Sequence, residues 1–212
     1  MADIADVLGT ESGGLTYYDD SGDNGEPRVL MPEGEYYGHI VSVESVERQV
    51  KSVHKAVIYN MKVKLAPEIA DLKYDALDYE TQKKATVTGQ QFVGREYRSS
   101  GVFKFLHPTN GADFEPNPGG NKGYMNFCQA IGKEAPVKEV EVEGKKVKLR
   151  ELPDLTYDDI LGQPVIAIIR RGKPWVGQDG KTRTPLEAKW WRRWEEGEQI
   201  SVETETDDGV PF

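Results

Sequence analysis

"KAVIYNMKVKLAPE", residues 55–68, alternates almost without a break: Val57, Tyr59, Met61, Val63 and Leu65 share one parity, and Ile58, Asn60, Lys62 and Lys64 the other. Side chains along extended backbone point to opposite faces in turn, so this pattern predicts a half-buried β-strand, apolar side in. Upstream, "MPEGEYYGHIVSVESVE" predicts a strand from about Glu35, with Tyr37, His39, Val41 and Val43 against Tyr36, Gly38, Ile40 and Ser42. Downstream, "GREYRSSGVFKFLHP" predicts a third, with Tyr97, Ser99, Gly101, Phe103 and Phe105 inward and Arg98, Ser100 and Lys104 outward. Gly101 in mid-strand predicts a bulge or tight bend. Between the second and third strands, residues 66–90 lose the alternation and read as an inserted helix plus loop.

In "GGNKGYMNFCQAIGKEAP", Tyr124, Phe127, Cys128 and Ile131 fall at i, i+3, i+4 and i+7, the stripe of a short core-facing helix. "VEVEGKKVKL" reads as an appended hairpin around a Glu-Gly turn. "TYDDILGQPVIAIIRRGKPWV" predicts a half-turn of helix and then the most apolar strand, Val165–Ile169. "QDGKTRTPLEAKWWRRWEEG" turns at Asp179-Gly180 and closes with a strand through a tryptophan cluster. The predicted class is mainly β. Five strands with a helix between the third and fourth is the layout of an OB-fold, a small Greek-key barrel that commonly binds single strands or oligosaccharides, though other small barrels and a two-layer α+β sheet fit the same order.

Charge is divided unevenly. Residues 1–35 hold nine acids and one base, and residues 195–212 seven acids and no base, leaving 26 bases against 20 acids between them. A basic body between acidic ends points to a polyanion ligand, despite a net charge of −9. The expected organisation is a flexible acidic segment at 1–30, a binding domain at 31–194 and a disordered acidic tail at 195–212. A lone Cys128 excludes an internal disulfide framework and fits a reducing compartment. No apolar run approaches the roughly 18 residues of a membrane span, and "MADIADVLGTESGG" has no signal-peptide character, so a cytoplasmic location is expected.

Enzyme chemistry needs a constellation of residues, and none is legible. His39, His54, His107 and Cys128 have no metal-ligand spacing, and Gly119–Gly123 lacks the spacing of a phosphate-binding loop. No cofactor and no catalysis are expected. Cations interleaved with aromatics are present instead. Single-strand binders need both, the cations for phosphates and the rings for stacking on bases. Lys62, Lys64, Arg98 and Lys104 fall on the outward parity of the second and third strands, and Arg170, Arg171, Trp175, Lys189, Trp191 and Arg193 follow on the fourth and fifth. These ten are the predicted contacts to nucleic acid. In "KWWRRW", Trp190, Arg192 and Trp194 share one parity and Trp191 and Arg193 the other; Trp190 is expected buried. Tyr59, Phe103 and Phe105 are expected in the core.

The chain finishes "TDDGVPF". Asp207, Asp208, Val210, Pro211 and Phe212 resemble the acidic, Pro-Phe-tipped tail of bacterial-type single-stranded DNA-binding proteins, with Gly209 where an acid is usual. The body, from "MPEGEYYGHIVSVE" through "GREYRSSGVFKFL" and "LGQPVIAII" to the closing strand, resembles phage-encoded single-stranded DNA-binding proteins, whose OB-fold carries insertions. The resemblance implies a chain in the cytoplasm of a bacterial host that coats single-stranded DNA during phage replication or recombination. It also implies a tail that recruits helicase, primase, polymerase or nuclease, and it is compatible with a homo-oligomer or cooperative assembly on DNA. The competing expectations are an adaptor barrel that binds protein rather than DNA, and a metal-dependent nuclease built on acids such as Asp158-Asp159 or Asp71, Asp75 and Asp78.

Overall fold

The computed structural model describes residues 29–50, 54–78, 83–106, 120–142 and 144–202. Most of the predicted acidic N-terminal segment, and the tail residues Asp207, Asp208, Val210, Pro211 and Phe212, lie outside them. In chain order the elements are β1 (Val29–Leu30), β2 (Gly34–Val50), β3 (His54–Leu65), β4 (Lys73–Asp78), β5 (Lys84–Thr88), β6 (Glu96–Arg98) and β7 (Val102–Phe105). There follow helix α1 (Lys122–Ala130), β8 (Val137–Val142), β9 (Lys145–Arg150), the short helix α2 (Tyr157–Ile160), β10 (Pro164–Arg171), β11 (Trp175–Val176), β12 (Thr182–Arg183) and β13 (Leu186–Arg193).

The chain is mainly β, and its named strands pair antiparallel. The principal sheet has the order β13-β10-β2-β3-β6, with β7 continuing beside β3 where β6 leaves off. It is not a closed barrel. Its two ends meet at one isolated parallel bridge, Ser99 to Ala188, where the Ser100 amide donates to the Ala188 carbonyl at 3.1 Å.

The alternation in β3 works as expected: Tyr59, Met61, Val63 and Leu65 are buried, each contributing about 1.5–3 kcal/mol of hydrophobic stabilisation. In β2 the pairing with β3 slips between Ile40 and Ser42. That bulge reverses the parity of the strand, so Tyr36 and Ile40 are fully buried while Val43, three residues on, also packs on the core. Tyr36 can be buried because its hydroxyl donates to the Pro32 carbonyl at 2.8 Å.

Residues 66–90 are not an inserted helix. They form a β-hairpin, β4–β5, which with β1 makes a separate three-stranded sheet, flanked by 3-10 turns at Pro67–Ile69 and Gly89–Phe92. The inward positions are Tyr74, Ala76, Ala85 and Val87. Two of the four are alanines, small and favourable to helix, which mutes the alternation in the sequence. Tyr74 stacks on Tyr36 at 4.9 Å and meets Phe92 edge-on at 5.7 Å, which fastens the hairpin to the main core.

Helix α1 buries Tyr124, Phe127, Cys128 and, just beyond its end, Ile131, so the predicted stripe is its core face. Asn121 moors its start: the side-chain amide donates to the Phe105 carbonyl at 3.3 Å and its oxygen accepts from the Phe105 amide at 2.9 Å, as a paired strand would. The β8–β9 hairpin is present in the predicted place, paired from Val137 opposite Arg150 to Val142 opposite Lys145.

After β13, residues 195–202 lie along the body. Trp194 is buried against Tyr37 and His39, at 5.0 and 5.3 Å between ring centres. The Ile200 amide donates to the Gly162 carbonyl at 3.0 Å. A Cβ on Gly162 would stand 1.9 Å from the Ile200 carbonyl oxygen, so only glycine fits under this strap. Among the described residues no helix is long and apolar enough to cross a membrane.

Candidate nucleic-acid interface

On the β3–β6 part of the sheet, Lys62 stands directly opposite Arg98 and Lys64 opposite Glu96. Ile58, Asn60, Lys62 and Lys64 share one side of β3 by the alternation of the strand. Lys62 approaches Glu96 at 3.9 Å with both side chains nearly half exposed, too loose an ion pair to hold the ammonium away from another anion.

The chain then bends. The Ser99 amide donates to the Met61 carbonyl at 2.7 Å, while the Ser99 hydroxyl accepts from the Met61 and Gly101 amides at 2.9 and 3.3 Å. The hydroxyl thus replaces a strand carbonyl at the corner, and Gly101 takes the positive φ of +86° that the turn requires. The predicted bend at Gly101 is present, and it carries an unforeseen consequence: parity reverses across it. Tyr97 packs inward before the corner, and Val102 and Lys104 are the buried positions after it. Phe103 and Phe105, expected in the core, are only half buried and stack on one another at 6.4 Å, with Phe103 opposite Ile58.

Lys104 is therefore inside, contrary to its predicted outward position. Its ammonium pairs with Asp154, donates to the Pro153 carbonyl at 3.1 Å and lies 5.5 Å from the centre of the Tyr124 ring. The Tyr124 hydroxyl donates to the same carbonyl at 2.6 Å, and burial pushes its pKa well above the ordinary value. Burial also pushes the neighbouring Cys128 thiol up to about 11. This cluster clamps the 151–156 loop to β7 and α1, and a cation so occupied is not offered to a strand of DNA.

A second irregularity sets the tryptophans. The β10–β13 register slips between Ile168 and Ile169: Ile168 faces Trp190 and Ile169 faces Ala188, leaving Lys189 as the extra residue of a bulge. The buried positions become Ala188 and Trp191, three apart. Trp191 packs edge-on to Phe127 at 5.8 Å, whereas Trp190 is 57% exposed. This reverses the sequence assignment, in which Trp190 was the core residue and Trp191 the outward one.

Trp190 stands between two grooves and lines both. One, of about 440 Å³, runs between β7, α1 and β13 and is lined by Phe103, Phe105, Lys189 and Trp190, with Gly101 at its end. The other, of about 780 Å³, lies between the end of α1, the β8–β9 hairpin and β13, and is lined by Lys133, Arg150, Trp190, Arg192 and Arg193. An exposed indole with cations on both sides can stack on a base while phosphates are neutralised on either flank. Two of these cations already have partners: Arg192 meets Glu35 at 2.9 Å and Lys133 meets Asp159 at 2.5 Å.

Of the ten predicted contacts, Lys62, Lys64 and Arg98 come together on the β3–β6 surface, and Lys189 and Arg193 flank Trp190. Trp191 forms part of the groove wall from its buried position. Arg170, Arg171 and Trp175 line neither groove. Arg170 donates to the Ile169 carbonyl at 3.2 Å, and the Arg171 backbone amide donates to Glu33 at 2.7 Å. Trp175 is half exposed on the small β11–β12 hairpin, under the Arg183 guanidinium at 5.5 Å. Trp190, Phe103, Phe105 and Arg150 are the surface residues that the sequence reading did not assign to the site. Gly101 was the sequence signal for Phe103 and Phe105, and nothing comparable marked the bulge at Lys189 that leaves Trp190 exposed. Among the described residues no group of three His, Cys, Asp or Glu side chains is placed to hold a metal ion. Compared with protein-family models, curated proteins and solved structures, the chain matches none.

Proposed function

We propose that this chain binds single-stranded DNA without catalysing a reaction on it, through a surface centred on Trp190. The observation that carries the reading is the position of that indole, exposed on a ridge between two grooves with Lys189 on one side and Arg150 and Arg193 on the other. Rings recognise bases by stacking, at roughly 1–3 kcal/mol each and with little regard to sequence, and cations follow the phosphates. The fold supports the reading. Numbered by chain order, the five principal strands lie 3-2-1-4-5 across the sheet, and the third and fifth touch in parallel at Ser99 and Ala188. That connectivity is compatible with an incompletely closed OB-like Greek key, elaborated by the β4–β5 and β8–β9 hairpins. With the segment Asp207, Asp208, Val210, Pro211 and Phe212 as a docking motif for replication proteins, the role is that of a coating protein in replication or recombination, as the resemblance to phage-encoded binders implies.

Titration of the protein with oligo-dT, followed by tryptophan emission, tests this. Quenching is expected, with an affinity that falls steeply as salt rises because each neutralised phosphate releases counterions. Absence of quenching and of retention of the oligonucleotide in dilute buffer overturns the proposal and leaves the adaptor reading in its place.

A further inference from the structure

The larger groove collects four cations on one concavity, Lys133, Arg150, Arg192 and Arg193. Lys62 is shared with Glu96, Lys133 with Asp159 and Arg192 with Glu35. Arg150, from β9, and Arg193, at the end of β13, line the same groove and have no carboxylate partner among the described residues. Arg150 and Arg193 share the concavity with a single carboxylate, Glu134, and an anion bound there offsets the positive charge left over. Trp190, Trp191 and Asn126 line both grooves, and Val137 and Ile168 add apolar wall to the larger one. The volume, about 780 Å³, falls in the range of roughly 300–1,000 Å³ typical of small-molecule sites and is ample for a base with its sugar and phosphate.

We infer that this groove is a second nucleotide-binding segment, so that a single strand crosses the Trp190 ridge and continues toward the β8–β9 hairpin. The inference rests on the reading of the preceding subsection and extends it. Trp190 stacks a base at the ridge, and Arg193 and Arg150 take the phosphates beyond it in order. The hairpin is then a working part of the binding surface: Val137 and Arg150, paired at its base, form the groove's outer wall. A neutral or basic peptide is the less suitable occupant, because Arg150 and Arg193 leave the groove with a surplus of positive charge.

The test uses the full chain and oligo-dT of about 5 and about 15 nucleotides, which bracket site sizes of roughly 4–16 nucleotides. The double variant Arg150→Gln/Arg193→Gln removes both contacts and, because both side chains are exposed, leaves the fold intact. It is expected to bind the longer oligomer more weakly than the native protein does. Its plot of log affinity against log salt is expected to be shallower by about 1.4, two contacts at about 0.7 each for single strands. Lys73→Gln/Lys84→Gln, an equal loss of charge on the three-stranded sheet, is expected to leave the slope near the native value. Native binding with an unaltered slope in the Arg150→Gln/Arg193→Gln variant overturns this inference alone. So does weakened binding of a synthetic peptide of residues 203–212 with DNA binding unchanged, which makes the groove a protein-docking site. Failure of the native protein to retain either oligomer overturns the DNA-binding reading and this inference together.

Discussion

Trp190 and Trp191 are adjacent in the chain and serve opposite faces of β13: the first stands exposed on the ridge between two grooves, and the second is buried edge-on to Phe127 at 5.8 Å. Their substitutions should separate binding from stability. Trp190→Ala is expected to weaken oligo-dT binding by about 1–3 kcal/mol with an unchanged urea midpoint. Trp191→Ala is expected to cost about 3–5 kcal/mol of folding stability through the cavity it leaves. Fluorescence-independent binding, by anisotropy of a labelled oligonucleotide, and urea unfolding of both variants check the pair. Equal loss of stability in the two would refute the assignment.

Lys104 is buried beside Tyr124 and the Pro153 carbonyl, and its ammonium reaches the largely exposed carboxylate of Asp154. Lys104→Met keeps most of the packing and removes the charged hydrogen bonds, and should cost about 1.5–3 kcal/mol in urea unfolding. The salt dependence of DNA binding should not change. Lys62→Gln should do the reverse, lowering the salt slope by about 0.7 at unchanged stability. A shallower slope for Lys104→Met would return that residue to the binding surface.

Gly162 lies beneath the strap, with φ of +73° and no room for a Cβ. Gly132 has a similar φ of +75° but open space around it. Gly132→Ala is expected to cost only the backbone strain, about 1–2 kcal/mol. Gly162→Ala must also displace Ile200, and should cost more and expose residues 195–202 to protease. Limited proteolysis and urea unfolding of the two variants, compared, isolate the contact.

Burial raises the pKa of Cys128 from 9.0 to about 11 and that of Tyr74 from 10.0 to about 12. Both groups are neutral when protonated, so the folded state holds these protons more tightly than the unfolded one. Their contribution to stability is intact below pH 9 and is lost as pH climbs through about 11 and then about 12. Urea midpoints measured across that window should fall, and Cys128 should react with thiol reagents only as the protein unfolds. A midpoint that stays level through the window would contradict this.

Where the strand alternation ran uninterrupted, as at Tyr59, Met61, Val63 and Leu65, the sequence was enough to place each side chain, and the Tyr124, Phe127, Cys128 and Ile131 stripe placed the helix equally well. Both misplacements lie beside an irregularity. Lys104 was placed outward by carrying a parity across Gly101, where it reverses, and Trp190 was expected buried although the bulge at Lys189 leaves it exposed. A single extra residue in one strand exchanges core for surface in everything that follows. Residues 66–90 failed differently: Ala76 and Ala85 mark the inward side of the β4–β5 hairpin too faintly to be told from a helix. The charge asymmetry located a basic body, but only the folded arrangement distinguishes bases with partners, such as Arg192 and Lys133, from those without.

The sheet's two ends are stitched at one point, the Ser100 amide to the Ala188 carbonyl. Ser99 is held on the other side by Met61, so the stitch can part while the ladders of β2, β3 and β10 remain zipped. The molecule thus has a seam beside the ridge that carries Trp190, held by a single bridge. A ligand lying across that ridge would act as a suture, and the exchange of the Ser100 amide with solvent would slow when it binds.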